Sequence, residues 1–201
     1  RFYEHQGVDW KRTTGAMINL VLNRAFDLGE QEYGGSTITQ QLVKNATGEN
    51  TYTVQRKVLE IFRAVDLERR YDKDKILEEY LNRIYMGKRC YGVKTASAKY
   101  FGKELEMLTI AECASLISIT NNPSLYNPYR EKLDAGGMTG AQRNRERQLD
   151  TLEQMKLQGL ISEEEYEEAM AQELVFKDGI DTQDKWVDCP NETCDHYGPV
   201  R

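Results

Sequence analysis

The 201-residue chain has few of the residues that build special scaffolds: four cysteines, four prolines, two histidines and two tryptophans. Four scattered cysteines are too few for a disulfide framework. The chain has no run of 18 apolar residues and no signal-peptide pattern, so this segment carries no membrane span of its own. It also lacks the sustained alternation of apolar and polar residues that indicates strands. We therefore expect a folded domain of mainly α structure.

The net charge of −6 conceals an uneven distribution. Residues 1–103 hold 18 Lys and Arg against 13 Asp and Glu, whereas residues 104–201 hold 9 against 20. An acidic chain is a poor general binder of nucleic acid, while a basic first half suits a phosphorylated ligand or an anionic membrane surface. We favour a local anion site and expect no nucleic-acid partner.

Apolar residues recur at helical spacing almost throughout the chain. From Lys177 onward the composition becomes polar and irregular, with an isolated Trp186, and predicts a linker. The predicted helices or helix faces are Met17 to Phe26; Val54, Val58, Ile61, Phe62 and Val65; Lys73 to Gly87, with Asn82 as a buried hydrogen-bonding group; Leu108 to Ile119; Ala141 to Gln158; and a helix capped by Ser162 that runs to Glu173.

The cysteines divide into two pairs. Cys90 and Cys113 lie in apolar, periodic contexts and are predicted to be buried thiols. Cys189 and Cys194, with His196 nearby, could form a small disulfide loop or half of a zinc site. No second ligand pair follows at zinc-finger spacing.

Residues Gly34 to Asn45, GGSTITQQLVKN, concentrate polar groups at one helix start. Either Ser36 or Thr37 can cap the helix, and Gln40 lies three residues after Thr37, the spacing of a capping box. The free N–H groups and the helix dipole at such an end favour an anion. Lys44 lies about two turns further on, where its ammonium could approach a bound phosphate. The alternative is an ordinary glycine turn before a capped helix.

The helix predicted over residues 54–70 carries Arg56, Lys57 and Glu60. Arg56 and Lys57 lie four and three residues before Glu60, so two cations flank one carboxylate. If this face lines a cleft, the cations could neutralise a phosphate while Glu60 contacts a sugar hydroxyl or a bound cation. The alternative is a ladder of salt bridges on an exposed surface.

The first residues, FYEHQGVD, are compatible with an Asp9 cap on a helix entered at Trp10 and with a structural role for His5. Four segments resemble, in order along the chain, the motifs of the peptidoglycan glycosyltransferases, family 51 of the glycosyltransferases. They are FYEHQGVD, GGSTITQQLVKN, RKVLE and KILEEYLNRIYMG. These domains occur in class A penicillin-binding proteins and in monofunctional cell-wall transglycosylases. YGVKTASAKYFGK, LTIAECASLI and NNPSLYNP also fit, so the resemblance runs from Arg1 to about Glu173.

The resemblance implies a lysozyme-like helical fold, and the polar tail from Lys177 favours a multifunctional parent protein over a monofunctional one. Residues 1–176 would be an N-terminally truncated glycosyltransferase domain, and residues 177–201 a linker toward a transpeptidase domain that this chain does not contain. The implied enzyme is a hexosyltransferase that polymerises lipid II into β-1,4-linked glycan and releases undecaprenyl pyrophosphate. Its implied catalytic residue is Glu60. The implied substrate-binding residues are Ser36, Gln40, Gln41, Lys44, Arg56 and Lys57, with one of Arg143, Arg145 and Arg147 near the donor.

In this family a glutamate of the first motif is the proposed general base. Counting back from Phe2 places that glutamate three residues before Arg1, so we expect this fragment to lack its main base and to be nearly inactive. The chemistry requires no cofactor. A divalent cation such as Mg²⁺ or Mn²⁺ could share the neutralisation of the pyrophosphate, but the sequence contains no dedicated metal cage.

The partners implied by the resemblance are lipid II, the nascent glycan, the extracytoplasmic surface of the bacterial membrane and inhibitors of the moenomycin type. An apolar membrane-facing surface is implied between Trp10 and Tyr33, where Phe26, Leu28 and Tyr33 are candidates; core packing is the alternative explanation. Two other functions stay open: a lysozyme-like enzyme that cleaves glycan, and a non-catalytic module that binds lipid II or glycan. A Glu-Asp pair just before Arg1 would favour the transferase.

Overall fold

The computed structural model describes residues 2–15, 35–48 and 53–177. Several predictions lie outside these residues. They are the helix from Met17 to Phe26, the membrane-facing candidates Phe26, Leu28 and Tyr33, and the region after Lys177 with Trp186, Cys189, Cys194 and His196.

Seven α-helices and two short 3-10 helices are described in full. They are α1 (Ile38–Thr47), α2 (Val54–Arg70), α3 (Lys73–Arg83), α4 (Val93–Tyr100), α5 (Ile110–Asn121), α6 (Gly140–Leu157) and α7 (Glu163–Ala171), with 3-10 helices at Phe2–Glu4 and Leu105–Met107. Residues 10–15 are also helical. The described residues form no β-strand, only an isolated bridge between Tyr85 and Tyr91. The predicted mainly α class is therefore confirmed. None of the helices described is long and apolar enough to cross a membrane.

Hydroxyl side chains begin most of these helices. In four of them the cap hydroxyl accepts from the N–H three residues on, and a Gln or Glu at that position accepts from the N–H of the cap. These caps are Thr37, Thr109, Thr139 and Ser162. Asp9 caps residues 10–15 as predicted, since its carboxylate accepts from the N–H of Arg12 at 3.1 Å. The predicted capping boxes at Thr37 and Ser162 are confirmed.

The chain divides into two compact units. The described part of the first unit ends at Arg83, and the second begins at Ile84 and continues to the last described residue, Lys177. In the first unit α1 packs against α2 and α3. In the second, α5 packs against α6, and α7 packs against both. Each unit thus has its own helix junction.

Buried apolar residues join the helices of the second unit. Ala111, Ala114, Leu152, Ile161 and Ala169 form its buried cluster. Ala111 and Ala114 belong to α5, which is the helix predicted over Leu108 to Ile119. The helix begins at Ile110 because Thr109 caps it. Within this unit α5 packs against both α6 and α7.

Neutral polar groups bridge α5 and α6 inside the same unit. The Asn144 amide donates to the carbonyls of Tyr126 at 3.0 Å and Ser115 at 3.2 Å, and accepts from the Ser115 hydroxyl at 2.6 Å. The Gln148 amide donates to the carbonyl of Ala111 at 2.7 Å. Asn144 and Gln148 are fully buried, so these bonds satisfy groups that water cannot reach.

The predicted apolar face of α2 is wrong at two positions. Val58 is 44% exposed and Phe62 is 67% exposed. The buried face of the helix carries Glu60, Ala64 and Glu68, spaced by four residues, because the polar partners of the two carboxylates lie on that side. Val58 lies about 200° around the helix from Glu60 and therefore faces outward.

Three further predictions are corrected. The helix that begins at Lys73 ends at Arg83, not at Gly87. Asn82 is exposed and lies about 120° around α3 from the buried Ile76, so it does not tie two helices together. Cys113 is exposed, in the same stripe of α5 as Ile117. Cys90 is buried as predicted, and this burial raises the pKa of its thiol to about 11.

Candidate functional site

The first component of the site is the turn that begins α1. The N–H of Thr37 donates to the side-chain oxygen of Gln40 at 2.9 Å, and the N–H of Gln40 donates to the Thr37 hydroxyl at 3.2 Å. Thr37 is therefore the cap, which leaves the neighbouring Ser36 hydroxyl available for a tertiary contact.

The second component is the first part of α2, which supplies Arg56, Lys57 and Glu60. The guanidinium of Arg56 lies 2.8 Å from one oxygen of Glu60, and the ammonium of Lys57 pairs with the other. Lys57 also donates to the Ser36 hydroxyl at 2.7 Å. We call Ser36, Arg56, Lys57 and Glu60 the Glu60 cluster. It joins residues that stand 21 positions apart in the chain.

Burial distinguishes the Glu60 cluster from a surface ladder of salt bridges. The Glu60 side chain is only 5% exposed, and Arg56 is 13% exposed. The alternative of an exposed ladder is therefore wrong. Two cations share one carboxylate at a partly dehydrated position. A pair of cations held side by side suits an anion that enters the site.

The remaining predicted residues on α1 lie on different sides of the helix. Gln40 is fully buried and helps to cap the helix, and its amide nitrogen has no hydrogen-bond partner among the described residues. Gln41 is exposed and accepts from the hydroxyl of Tyr80 at 3.1 Å. Lys44 is half-buried one turn after Gln40. Ser36 is thus the only one of the four predicted residues from Ser36 to Lys44 that has a described contact with Arg56, Lys57 or Glu60.

Gly7 is a supporting residue that the motif analysis missed. Its φ is +85°, and a Cβ on it would lie 2.7 Å from the carbonyl oxygen of Ala64, one turn after Glu60 on α2. The carbonyl of Gly7 accepts from the Thr37 hydroxyl at 2.6 Å. Gly7 therefore sets the spacing between α2 and the turn that carries Ser36. The available signal was the glycine itself within the first motif.

A second buried carboxylate, Glu68, joins the same elements. It accepts from the Thr39 hydroxyl at 2.5 Å and pairs with the Lys73 ammonium at 2.6 Å. Lys73 also donates to the carbonyl of His5 at 2.5 Å and lies 4.5 Å from the centre of the Phe2 ring. These contacts hold the first segment, α1, α2 and α3 together.

His5 is placed by its backbone and not by a catalytic contact. Its carbonyl is bound by Lys73, and its ring lies edge-on to Phe2. Burial lowers the pKa of His5 below its usual range, and the charge of Lys73 lowers it further. The imidazole is therefore neutral near pH 7, and the structural role of His5 stays a prediction.

The three candidate arginines belong to the second unit. Arg143 pairs with Asp134 and Glu146, Arg145 donates to Gln148 and to two backbone carbonyls, and Arg147 lies 3.6 Å from Asp150. Arg143 and Arg147 line an open cavity of about 200 Å³. Arg145 does not line it and instead ties α6 to the residues at the end of α7.

The described residues do not suit a resident divalent cation. Within the described ranges, no three His, Cys, Asp or Glu side chains group closely enough to hold a metal ion. The one buried carboxylate of the Glu60 cluster already faces two cations. Mg²⁺ and Mn²⁺ prefer several oxygen ligands without competing positive charge. The donor set therefore does not fit a metal ion.

Known proteins resemble this chain along most of its length. A family model described as Transglycosylase matches residues 1–156. Penicillin-binding protein 1A/1B of Bacillus subtilis (strain 168) is 41% identical over 170 residues, which are 84% of this chain and 17% of that protein. A monofunctional glycosyltransferase of Staphylococcus epidermidis is 38% identical over 179 residues, covering 86% of this chain and 61% of that protein.

Among solved structures, penicillin-binding protein 1A of Haemophilus influenzae matches with 27% sequence identity and a TM-score of 0.47, over 75% of this chain and 18% of that one. The chain spans less than two thirds of the length of each of these three relatives.

Proposed function

Because this chain belongs to the transglycosylase family, we propose that it polymerises lipid II into β-1,4-linked glycan strands in bacterial cell-wall synthesis. The observation that carries the proposal is the Glu60 cluster, where one buried carboxylate holds two cations. The departing group, undecaprenyl pyrophosphate, gains negative charge as its bond to the sugar breaks. Two preorganised cations stabilise that transition state more effectively than a strong acid would.

In the proposed reaction, the 4-hydroxyl of an incoming lipid II attacks the anomeric carbon of the growing glycan. The bond from this carbon to the pyrophosphate breaks, and the pyrophosphate leaves with the bonding electrons. The hydroxyl proton passes to the general base that the family resemblance places upstream of Arg1. No step passes through a metal ion, because the cations Arg56 and Lys57 offset the charge.

The members of the Glu60 cluster have separate roles in this mechanism. Arg56 and Lys57 bind oxygens of the pyrophosphate as its charge develops. Glu60 holds both cations in position before the substrate arrives, so that little reorganisation is needed during the reaction. Ser36 supports Lys57 from the side of α1.

The proposed contacts of α1 follow from the exposure of its residues. Gln41 and Lys44 reach the sugar and phosphate of the donor from the accessible side of the helix. Gln40 shapes the same wall from inside, because its side chain is buried and caps the helix. The substrate keeps its long polyprenyl chain in the bilayer, so we place the reaction at the extracytoplasmic face of the cell membrane.

The test is polymerisation of labelled lipid II by the protein extended upstream through the first motif and the membrane anchor implied by the resemblance. In this background Glu60→Gln should lower the polymerisation rate at least about 100-fold, because the two cations lose the charge that orders them. The matched control is Glu78→Gln on α3, an exposed carboxylate that pairs with Lys75. This control should retain the parental rate.

Three results would count against the proposal. The first is that the extended protein makes no glycan. The second is that the Glu60→Gln variant polymerises at the parental rate, and the third is that the Glu78→Gln control loses as much polymerisation activity as Glu60→Gln. An extended protein that binds lipid II without forming glycan would instead support a non-catalytic binding module. Cleavage of preformed glycan would support the lysozyme-like alternative.

The same cations lead us to propose binding of moenomycin, a phosphoglycolipid. A Lys44→Ala, Arg56→Ala double variant should lose affinity, because both side chains would contact the phosphate. The matched control is Lys75→Ala, Arg83→Ala, which removes two exposed cations of α3. Calorimetric titration that shows equal affinity for the parent and the first variant would remove this site assignment.

A further inference from the structure

The start of α3 binds the residues that open the described chain through two adjacent side chains. The Lys73 ammonium donates to the carbonyl of His5 at 2.5 Å and lies 4.5 Å from the centre of the Phe2 ring. The Asp74 carboxylate accepts from the hydroxyl of Tyr3 at 3.0 Å. One helix end therefore contacts three residues that lie close together in the chain.

A separate set of contacts fixes the other end of residues 2–8, which we call the N-terminal segment. Gly7 lies so close to α2 that a Cβ on it would be 2.7 Å from the carbonyl oxygen of Ala64. Its own carbonyl accepts from the Thr37 hydroxyl at 2.6 Å, and Val8 is only 2% exposed. These contacts alone would let the preceding residues pivot about one point. The contacts with α3 give the segment a second attachment point and so a fixed direction.

Lys73 occupies a position where the helix itself disfavours a cation. It is the first residue of α3, where the positive end of the helix dipole lies. Its side chain is 20% exposed and that of its partner Glu68 is 4% exposed, so this pair of charges carries a desolvation penalty. Two apolar side chains of similar volume would connect α2 and α3 at a lower cost. Stability alone therefore does not explain a lysine at this position.

The lysine supplies a combination of contacts that an apolar side chain does not offer. An ammonium has three N–H donors and is also attracted to the face of an aromatic ring. That of Lys73 binds the Glu68 carboxylate at 2.6 Å and, at the same time, the His5 carbonyl and the Phe2 ring. Glu68 belongs to α2, which also carries the Glu60 cluster. Lys73 thus connects the N-terminal segment to the helix of the proposed donor site.

We infer that Lys73 is a positioning residue, which sets the direction from which the general base meets the Glu60 cluster. The family resemblance places that base four positions before Phe2, so Lys73 binds its neighbours in the chain. Lys73 contacts no reacting atom and acts through Phe2 and His5. A displacement of about 1 Å between reacting groups can cost about 100-fold in rate, so such a contact matters for catalysis. The inference rests on the proposed function, in which this base accepts the hydroxyl proton.

The decisive experiment compares two variants of the extended protein. Glu68→Gln keeps the Lys73 ammonium and its contacts with the N-terminal segment, but leaves this buried charge without its carboxylate. The double variant Glu68→Gln, Lys73→Met removes both charges and, with them, the contacts with His5 and Phe2. The double variant should melt at least about 5 °C above Glu68→Gln, because it buries no unpaired charge.

The polymerisation rates of the two variants should follow the opposite order. They are measured well below all melting temperatures, so that each protein is folded. The kcat of Glu68→Gln should stay within about 3-fold of the parent, because the N-terminal segment remains bound. The kcat of the double variant should fall at least about 10-fold while KM for lipid II changes less than about 2-fold, because the proposed donor contacts of Arg56 and Lys57 are unaltered. A purely structural role would give the melting temperature and kcat the same order.

Amide hydrogen exchange of the 201-residue chain tests the placement without any polymerisation. Exchange in the N-terminal segment should accelerate at least about 10-fold in the double variant and less than about 3-fold in Glu68→Gln. The matched control is Asp66→Asn, Arg70→Met, which removes an exposed ion pair of α2. This control should alter neither the exchange rates nor kcat, because exposed pairs contribute little.

Three results would overturn the inference: a double variant with the parental kcat, the same order of kcat and melting temperature among the three proteins, or unchanged exchange in the N-terminal segment. The proposed function fails in a different way, with an extended parent that makes no glycan or a Glu60→Gln variant that polymerises at the parental rate. In that case the exchange measurement still decides whether Lys73 holds the N-terminal segment. An active parent together with an equally active double variant would refute only the role of Lys73.

Discussion

The two helix junctions of this protein use different chemistry to hold helices together. In the second unit, α5 and α6 are joined by neutral groups, Asn144 and Gln148, beside a buried apolar cluster. In the first unit, charged groups join α1 and its N-terminal turn to α2: the buried carboxylate of Glu68 accepts from Thr39, and Lys57, which pairs with the buried Glu60, donates to Ser36. Burying charges carries a desolvation penalty that well-packed apolar residues avoid. The charged junction is thus more costly than stability alone requires, as expected where a site must receive a charged ligand.

The two carboxylates of α2 also differ from each other. Glu68 faces one cation, Lys73, and the hydroxyl of Thr39, so its charge is balanced. Glu60 faces two cations, Arg56 and Lys57. They occupy the same helix face eight residues apart, yet only Glu60 is surrounded by groups that could bind a further anion. We therefore expect a structural role for Glu68, in contrast to the functional role proposed above for Glu60.

The largest effect on stability is expected from Glu68→Gln. The change leaves the ammonium of Lys73 next to a neutral amide at a buried position, so the free energy of unfolding should fall by about 3 kcal/mol. Urea denaturation followed by circular dichroism measures the change. The matched control is Asp66→Asn on the same helix, where both members of the pair with Arg70 are exposed and the change should be below about 0.5 kcal/mol.

Equal changes in these two variants would remove the distinction between buried and exposed pairs on α2. If Glu68→Gln no longer lowers the free energy of unfolding in a Lys73→Met background, the distinction becomes sharper. The destabilisation would then be assigned to the unpaired ammonium of Lys73.

A smaller loss is expected at the neutral junction. Asn144→Leu preserves the approximate volume of the side chain but leaves the Ser115 hydroxyl and the carbonyls of Ser115 and Tyr126 without this partner. The free energy of unfolding should fall by about 2 kcal/mol. Asn121→Leu, at the exposed end of α5, is the control and should change stability little. A loss at Asn144 larger than that of Glu68→Gln would reverse the ranking of the two junctions.

Local signals in the sequence predicted the helix starts well. Thr37 with Gln40 and Ser162 with Glu165 formed the expected capping boxes, since the cap and its partner are only three residues apart. The motifs also predicted Lys57 and Glu60 as site residues, and their roles stay a prediction. Their burial and the bond from Lys57 to Ser36 could not be predicted from helix periodicity, because they depend on how α1 packs against α2.

Periodicity failed where polar residues face inward. On α2 the apolar pattern indicated Val58 and Phe62 as core, whereas the helix buries Glu60 and Glu68. A pattern rule assigns carboxylates to solvent, so it predicts the wrong face wherever buried cations compensate them. The positive φ angles of Lys88 and Arg89 were also not predicted. No sequence preference indicates this backbone conformation at two consecutive basic residues.

The smallest predicted effect is a difference in the free energy of unfolding between variants of two capping threonines, one in each unit. Thr139→Val removes a cap hydroxyl and should cost about 1 kcal/mol. Thr37→Val removes an equivalent cap and also the 2.6 Å bond to the carbonyl of Gly7, so it should cost about 1 kcal/mol more. Denaturation of both variants measures the difference, and Thr→Ser at each position should restore most of the loss. Equal costs would mean that the Gly7 bond contributes nothing. The difference between the two helix junctions would then have to lie in their charged groups alone. Thr37 could no longer be regarded as the link that fixes Ser36 next to Lys57.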